Sequence, residues 1–234
     1  MPAPQELVVL TDFQLEVAQL FFTLPASKGF LLAGGAALIA QHLSTRQTHD
    51  LDFFTGPDRG NVTQARDEFE QAADTRGWRI DRIHDGTTFC RLLIHGPEQL
   101  LVDLALDSAP GLPATASVAG PTYAPEELAG RKLIALFDRA EARDFADIYT
   151  LSATYDKNTL LTRAAEIDAG FDPQILATML DSLQRFPDHA IPTDATELPQ
   201  LRALSSQTSI EMHAHEIAMV HAPRGRAHRL HQAL

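Results

Sequence analysis

An α+β fold is predicted for this chain of 234 residues, and three observations carry the prediction. Apolar runs with the length and period of strands alternate with helical patterns as far as residue 106. A stretch rich in Pro, Gly, Ala and Ser, SAPGLPATASVAGPTYAP (108–125), then interrupts the pattern. Beyond it the strand signals stop and only helical periodicity remains. The expected organisation is an α/β domain over residues 1–120, followed by an all-helical C-terminal domain over 121–234.

TDFQLEVAQLFFTL (11–24) spaces its apolar residues as a helix does, with Thr11 or Asp12 as N-cap. GFLLAGG (29–35) is a short buried strand ending in a glycine turn, and AALIAQHLS (36–44) has the composition of a helix that starts there. DLDFFT (50–55) alternates Asp with apolar residues, the period of a half-buried strand. GPDRGN (56–61) is a loop, and VTQARDEFEQAADTRG (62–77) a charged helix. WRIDRIH (78–84), TTFCRLLIH (87–95) and LLVDLAL (100–106) are strands joined by turns at Asp85-Gly86 and Gly96-Pro97. Residues 125–153 and 157–185 are expected to be helices. FPDHAIPTDATELP (186–199) breaks the pattern, a last helix covers 196–221, and APRGRAHRLHQAL is a loosely held tail with Arg224, Arg226 and Arg229 as a basic end.

Composition narrows the function. The net charge of −12 argues against tight, non-specific DNA binding, while leaving room for RNA in a local basic groove or a nucleotide delivered with magnesium. Cys90 is the only cysteine, which rules out an intrachain disulfide and a cysteine zinc cluster. No run approaches the ~18 apolar residues of a membrane span, and the first residues lack the basic n-region of a secretory signal. A cytoplasmic protein that does not enter a membrane is expected.

The chemistry centres on carboxylates. Residues two apart on a strand share a face, so Asp50 and Asp52 point the same way while Leu51 and Phe53 point into a core. Two adjacent carboxylates repel unless a cation or water separates them. Taken alone, the pair could be a solvated strand end. Asp103 shifts the balance, because a carboxylate within the apolar strand LLVDLAL is costly unless something pairs with it. Three aspartates on neighbouring strands can hold two divalent ions about 3.5–4 Å apart, the arrangement for in-line nucleotidyl transfer. Gly34 and Gly35 lack β-carbons, so their backbone N–H groups can approach a phosphate closely. Asp107, at a strand end, is expected to be a loop cap.

The order of these residues resembles the nucleotidyltransferase superfamily with a polymerase-β-like core, and more closely the AbiEii/AbiGii toxin family. Members of that family read Gly-Gly-Ser/Thr-Ala-Leu, then His-Arg-x-Ser/Thr-x-Asp-Ile/Leu-Asp. This chain has Gly34-Gly35-Ala36-Ala37-Leu38, then Thr45-Arg46-Gln47-Thr48-His49-Asp50-Leu51-Asp52. A second family signature, Lys, then Arg, then Arg-Asp-x-x-Asp, is matched by Lys132, Arg139 and Arg143-Asp144-Phe145-Ala146-Asp147. At about 100° per residue an unbroken helix would gather Lys132, Arg139, Arg143 and Asp147 in a stripe of about 80°. Asp144 is expected to pair with neighbouring arginines as scaffolding. The chain departs from the family at Ala36 and Thr45, and the missing hydroxyl at 36 would cost nucleotide binding on the order of 1 kcal/mol.

The resemblance implies a mixed sheet and Mg2+ (or Mn2+) held by Asp50, Asp52 and Asp103, which form the catalytic set. Gly34, Gly35, Arg46, Thr48, Lys132, Arg139, Arg143 and Asp147 form the nucleotide site. The implied reaction is transfer of a nucleotidyl group from a nucleoside triphosphate to an acceptor hydroxyl. The implied biology is a toxin acting on tRNA, with a cognate antitoxin as partner. A nucleotidyltransferase that modifies a protein or small molecule, and a non-catalytic binding protein on the same fold, are the alternatives. Of Glu211, His213, His215 and Glu216, only Glu211 and His215 would share a helical face, because residues two apart do not, so a metal site is not expected there.

Overall fold

The computed structural model describes residues 9–44 and 46–221, and side chains as far as residue 214. Thr45, His215 as a side chain, and the basic tail with Arg224, Arg226 and Arg229 lie outside the described residues.

Helix α1 (Asp12–Thr23) starts at Thr11, whose side chain accepts from Gln14 N while the Gln14 side chain accepts from Thr11 N. This reciprocal cap satisfies two donors that a bare helix end leaves open. Strand β1 (Phe30–Ala33) runs straight into α2 (Gly34–Ala40), and β2 (Asp50–Thr55) follows. Helix α3 (Val62–Thr75) is capped by Asn61 and leads into β3 (Arg79–Asp85), β4 (Phe89–His95) and β5 (Gln99–Leu106). Two three-residue strands, β6 (Thr115–Ser117) and β7 (Gly120–Thr122), lie in the stretch expected to be loop. They are too short to show a period of two in sequence.

The seven strands form one sheet in the order β3-β4-β5-β2-β1-β7-β6. Strand β2 pairs parallel with β5, and β1 parallel with β7, while the remaining neighbours are antiparallel, so the sheet is mixed. Leu51, Phe53, Cys90, Leu92, Val102 and Leu104 are buried on one face, under α1 and α3. There Phe21 stacks on Phe53 at 4.2 Å and meets Phe69 edge-on. The opposite face carries the aspartates.

After Thr122 the chain is helical. Helix α4 (Pro125–Arg139) begins with a proline in its first turn, where the missing N–H does no harm. The helix expected over 125–153 is broken: Ala140 takes a left-handed conformation at φ 46°, and α5 (Ala142–Leu151) restarts with a Glu141/Asp144 capping box. The helix expected over 157–185 also divides, into α6 (Lys157–Ile167) and α7 (Pro173–Asp181), with Asp172 capping the second. Helix α8 (Leu198–His221) closes the fold. The buried apolar residues of the helices, among them Leu133, Phe145, Leu160 and Leu201, are continuous with the sheet core. No described helix is long and apolar enough to cross a membrane.

Candidate active site

The strand register assembles the floor of the site. Ala33 pairs with Asp52 across β1 and β2, Asp52 with Asp103 across β2 and β5, and Asp103 with Arg91 across β5 and β4. Directly paired residues present their side chains on the same face. Asp52, Asp103 and Arg91 therefore stand side by side, with Asp50 two residues along from Asp52. They floor a cavity of about 430 Å³ that is also lined by Gly34, Gly35, Arg46, Thr48, Arg131, Lys132, Arg139 and Arg143.

The glycine turn packs against this floor. Gly34 has φ +62°, and a β-carbon there would lie 1.7 Å from Asp52 Oδ2. Gly35 is nearly as crowded, with its β-carbon position 2.7 Å from Thr48 Oγ1. These close approaches, more than the dipole of the short α2, account for the pair of glycines. Ala36, where the resemblance expects a hydroxyl, is fully buried and does not line the cavity. Thr48 supplies a hydroxyl at the wall and donates it to Asp50 Oδ1 at 2.6 Å.

Burial at the cleft floor, reinforced by the charges of Asp50 and Asp103, pushes the Asp52 carboxyl up to about 7, against the opposing pull of Lys132 and Arg143. Such crowding of hard oxygens fits a divalent cation, which usually takes one or two carboxylates together with substrate phosphates. Asp50 and Asp52 meet that requirement. Asp103, beside Asp52, is engaged by arginine: Arg91 Nε and Nη2 donate to its two oxygens at 2.8 and 2.6 Å. Among the described residues no three carboxylate, histidine or cysteine groups are arranged to hold a metal. The three aspartates expected to act together do stand on one face of the sheet, with the third bonded to a guanidinium.

The helical wall brings its residues together despite the break at Ala140. Lys132 Nζ lies 2.8 Å from Asp147 Oδ2, and Arg46 donates to the two Asp147 oxygens at 3.1 and 3.2 Å. Burial alone would push the Asp147 carboxyl up, but Lys132 and Arg46 outweigh it and hold it below the usual range. Asp147 is buried behind the cavity wall, where it holds Lys132 and Arg46. Arg139 donates to both oxygens of Asp144, at 2.9 Å each, which matches the scaffolding expected of Asp144. Arg143 reaches 3.8 Å from Asp50 and 2.9 Å from Glu141. Asp107 accepts from Ser108 N at 2.7 Å as a loop cap, and also pairs with Arg131.

Two cavity arginines were not expected from sequence. Arg131 is anchored by Glu127 and Asp107 and lies 3.9 Å from the centre of the Tyr123 ring. Its i,i+4 spacing from Glu127 was a readable signal. Arg91 has the outward position in an alternating strand, which resembles any solvated surface cation until the register is known.

A family profile described as "Nucleotidyl transferase AbiEii toxin, Type IV TA system" matches residues 19–215. The chain belongs to this AbiEii family. It is therefore a nucleotidyltransferase of the toxin–antitoxin class. No curated protein sequence matches the chain. Among solved structures, the nucleotidyltransferase toxin MenT4 from Mycobacterium tuberculosis superposes with a TM-score of 0.56 at 18% identity, covering 92% of this chain and 87% of that one. JHP933 from Helicobacter pylori gives 0.54 at 18% identity, with 92% and 97% covered. These likenesses support the shared fold across nearly the whole AbiEii-family chain, its helical half included.

Proposed function

We propose that this AbiEii-family protein transfers a nucleotidyl group from a nucleoside triphosphate to the 3′ hydroxyl of a tRNA, in the cytoplasm, and that a cognate antitoxin restrains it. The observation that carries the reading is a single cavity in which a carboxylate pair, Asp50 and Asp52, faces the cations Lys132, Arg139 and Arg143. Carboxylates on one side and cations on the other suit a triphosphate that arrives with a divalent ion.

In this reading the backbone of Gly34 and Gly35 and the Thr48 hydroxyl seat phosphate oxygens, with Lys132 and Arg139 reaching the same group from α4. Arg143 offers a planar fork to the phosphates. Asp50 and Asp52 would hold Mg2+ or Mn2+, which would neutralise charge that builds up on the departing pyrophosphate. The acceptor oxygen bonds to the α-phosphorus, the bond from that phosphorus to the pyrophosphate oxygen breaks, and Asp103 accepts the hydroxyl proton.

The test is incubation with each labelled nucleoside triphosphate, magnesium and either total tRNA or cell lysate, beside an Asp52→Ala control. Label on tRNA, reduced about 100- to 1,000-fold in the control, is the expected result. Label on protein or on a small molecule would replace tRNA as the acceptor. No Asp52-dependent label on anything would overturn the catalytic reading.

A further inference from the structure

Beyond Asp103 the same row of the sheet continues, and it carries groups that the transfer chemistry leaves unused. Arg91 is directly across from Asp103, and His84 on β3 is directly across from Arg91. Alternation along β4 places Phe89 on the face of Arg91. The Arg91 guanidinium lies 5.6 Å from the centre of the Phe89 ring, and the His84 and Phe89 rings stand 5.3 Å apart. Arg91 and His84 are exposed and Phe89 is half-buried, whereas Cys90 and Leu92 on the opposite face are buried. Farther along this face, Asp81 and His95 are engaged with each other at 2.8 Å.

The row has a direction. The glycine turn lies on the β1 side of Asp52, so donor phosphates seated on it would occupy that side. The acceptor is left with the β5-β4-β3 side, where the first group it meets after Asp103 is a guanidinium, followed by two rings. A guanidinium fork matches a phosphodiester, and aromatic and imidazole faces suit an unstacked base. The occupancy of Arg91 adds a coupling: a phosphate arriving there competes with Asp103 for the same donors. The carboxylate is then released only when an acceptor is in place. An acceptor without a phosphate would leave the Arg91–Asp103 pair closed.

We propose that Arg91, Phe89 and His84 form the acceptor subsite, that it takes the unpaired 3′ end of an RNA strand, and that an acceptor phosphate on Arg91 frees Asp103. This rests on the nucleotidyltransferase reading above and assigns the residues that would select its acceptor.

The test is binding of a short single-stranded RNA with a free 3′ hydroxyl, followed by fluorescence anisotropy without nucleotide, to wild type, Arg91→Ala, Arg91→Lys and His84→Ala. Arg91→Ala is expected to weaken RNA binding about tenfold or more and to reduce the slope of log affinity against log salt by about 1. Arg91→Lys should recover part of the loss, and His84→Ala should weaken binding about threefold. Nucleotide affinity, measured separately, should change by less than about twofold. Should Arg91→Ala fail to fold, Arg91→Lys and His84→Ala decide the matter. RNA labelled by wild type, combined with unchanged RNA affinity in the variants or an equal loss of nucleotide affinity, overturns the subsite alone. Label on protein and none on RNA overturns the tRNA reading and the subsite with it.

Discussion

On the floor of the cleft, Asp52 stands beside Asp103 with Asp50 on the same face, and its carboxyl is driven up to about 7. On the helical wall, Lys132 and Arg46 share the buried Asp147, and Arg139 grips Asp144. The floor therefore holds negative charge that burial and repulsion make costly, while the wall holds positive charge already matched by buried carboxylates. Removing a wall carboxylate strands cations in a low-dielectric place, which is strongly destabilising. Removing Asp52 relieves repulsion. The same residue type is thus structural on one side of the cavity and chemically poised on the other.

The sharpest way to break this contrast is Asp147→Ala. It leaves Lys132 and Arg46 without their buried partner and should lower unfolding free energy by about 3 kcal/mol, measured by urea denaturation, with loss of transfer activity. An unchanged midpoint would mean that the wall is not held by this carboxylate. Asp52→Asn should act in the opposite sense. An acid whose folded pKa lies above its unfolded value destabilises the fold increasingly as pH rises from 3.8 toward 7 and by a constant amount above that. The amide should therefore raise stability at pH 8 by between about 1 and 4 kcal/mol, after allowing for solvent at the cleft mouth, and the gain should vanish below pH 4. Thermal melts at the two pH values check it, and a gain that does not depend on pH would rule out the charge explanation. The smallest effect is expected at the solvent-exposed Lys157–Glu211 pair between α6 and α8. Lys157→Ala should change stability by less than about 1 kcal/mol and leave transfer unaltered. A loss comparable to that of Asp147→Ala would show that burial is not what separates the two pairs.

Much of the floor could be read in the sequence because strands encode faces directly. Asp50 and Asp52 alternate with Leu51 and Phe53, and Asp103 is conspicuous in an apolar run, so each announced its side of the sheet. Which aspartate neighbours which, and that Arg91 faces Asp103, depends on register between strands, which no single strand records. The wall was legible in its membership but not in its geometry. An unbroken helix would have aligned Lys132 with Asp147 along one stripe, yet they meet across a corner at Ala140. That corner has no glycine to mark it. Its readable trace was Glu141 followed three residues later by Asp144, a weak form of the capping-box pattern. Strands β6 and β7 were hidden by their length and by the turn-forming residues around them.

The bonds between Arg46 and Asp147 join residues 101 positions apart in the chain. Synthesis runs from the N-terminus at about 5–20 residues per second, so the strand aspartates leave the ribosome several seconds before Asp147. Until then Arg46 and Lys132 lack the buried acid that they share. A nascent chain that stops short of α5 carries the floor of the site without the carboxylates, Asp144 and Asp147, that hold the wall. For a member of a toxin family, this topology delays a complete cleft until most of the protein has been made.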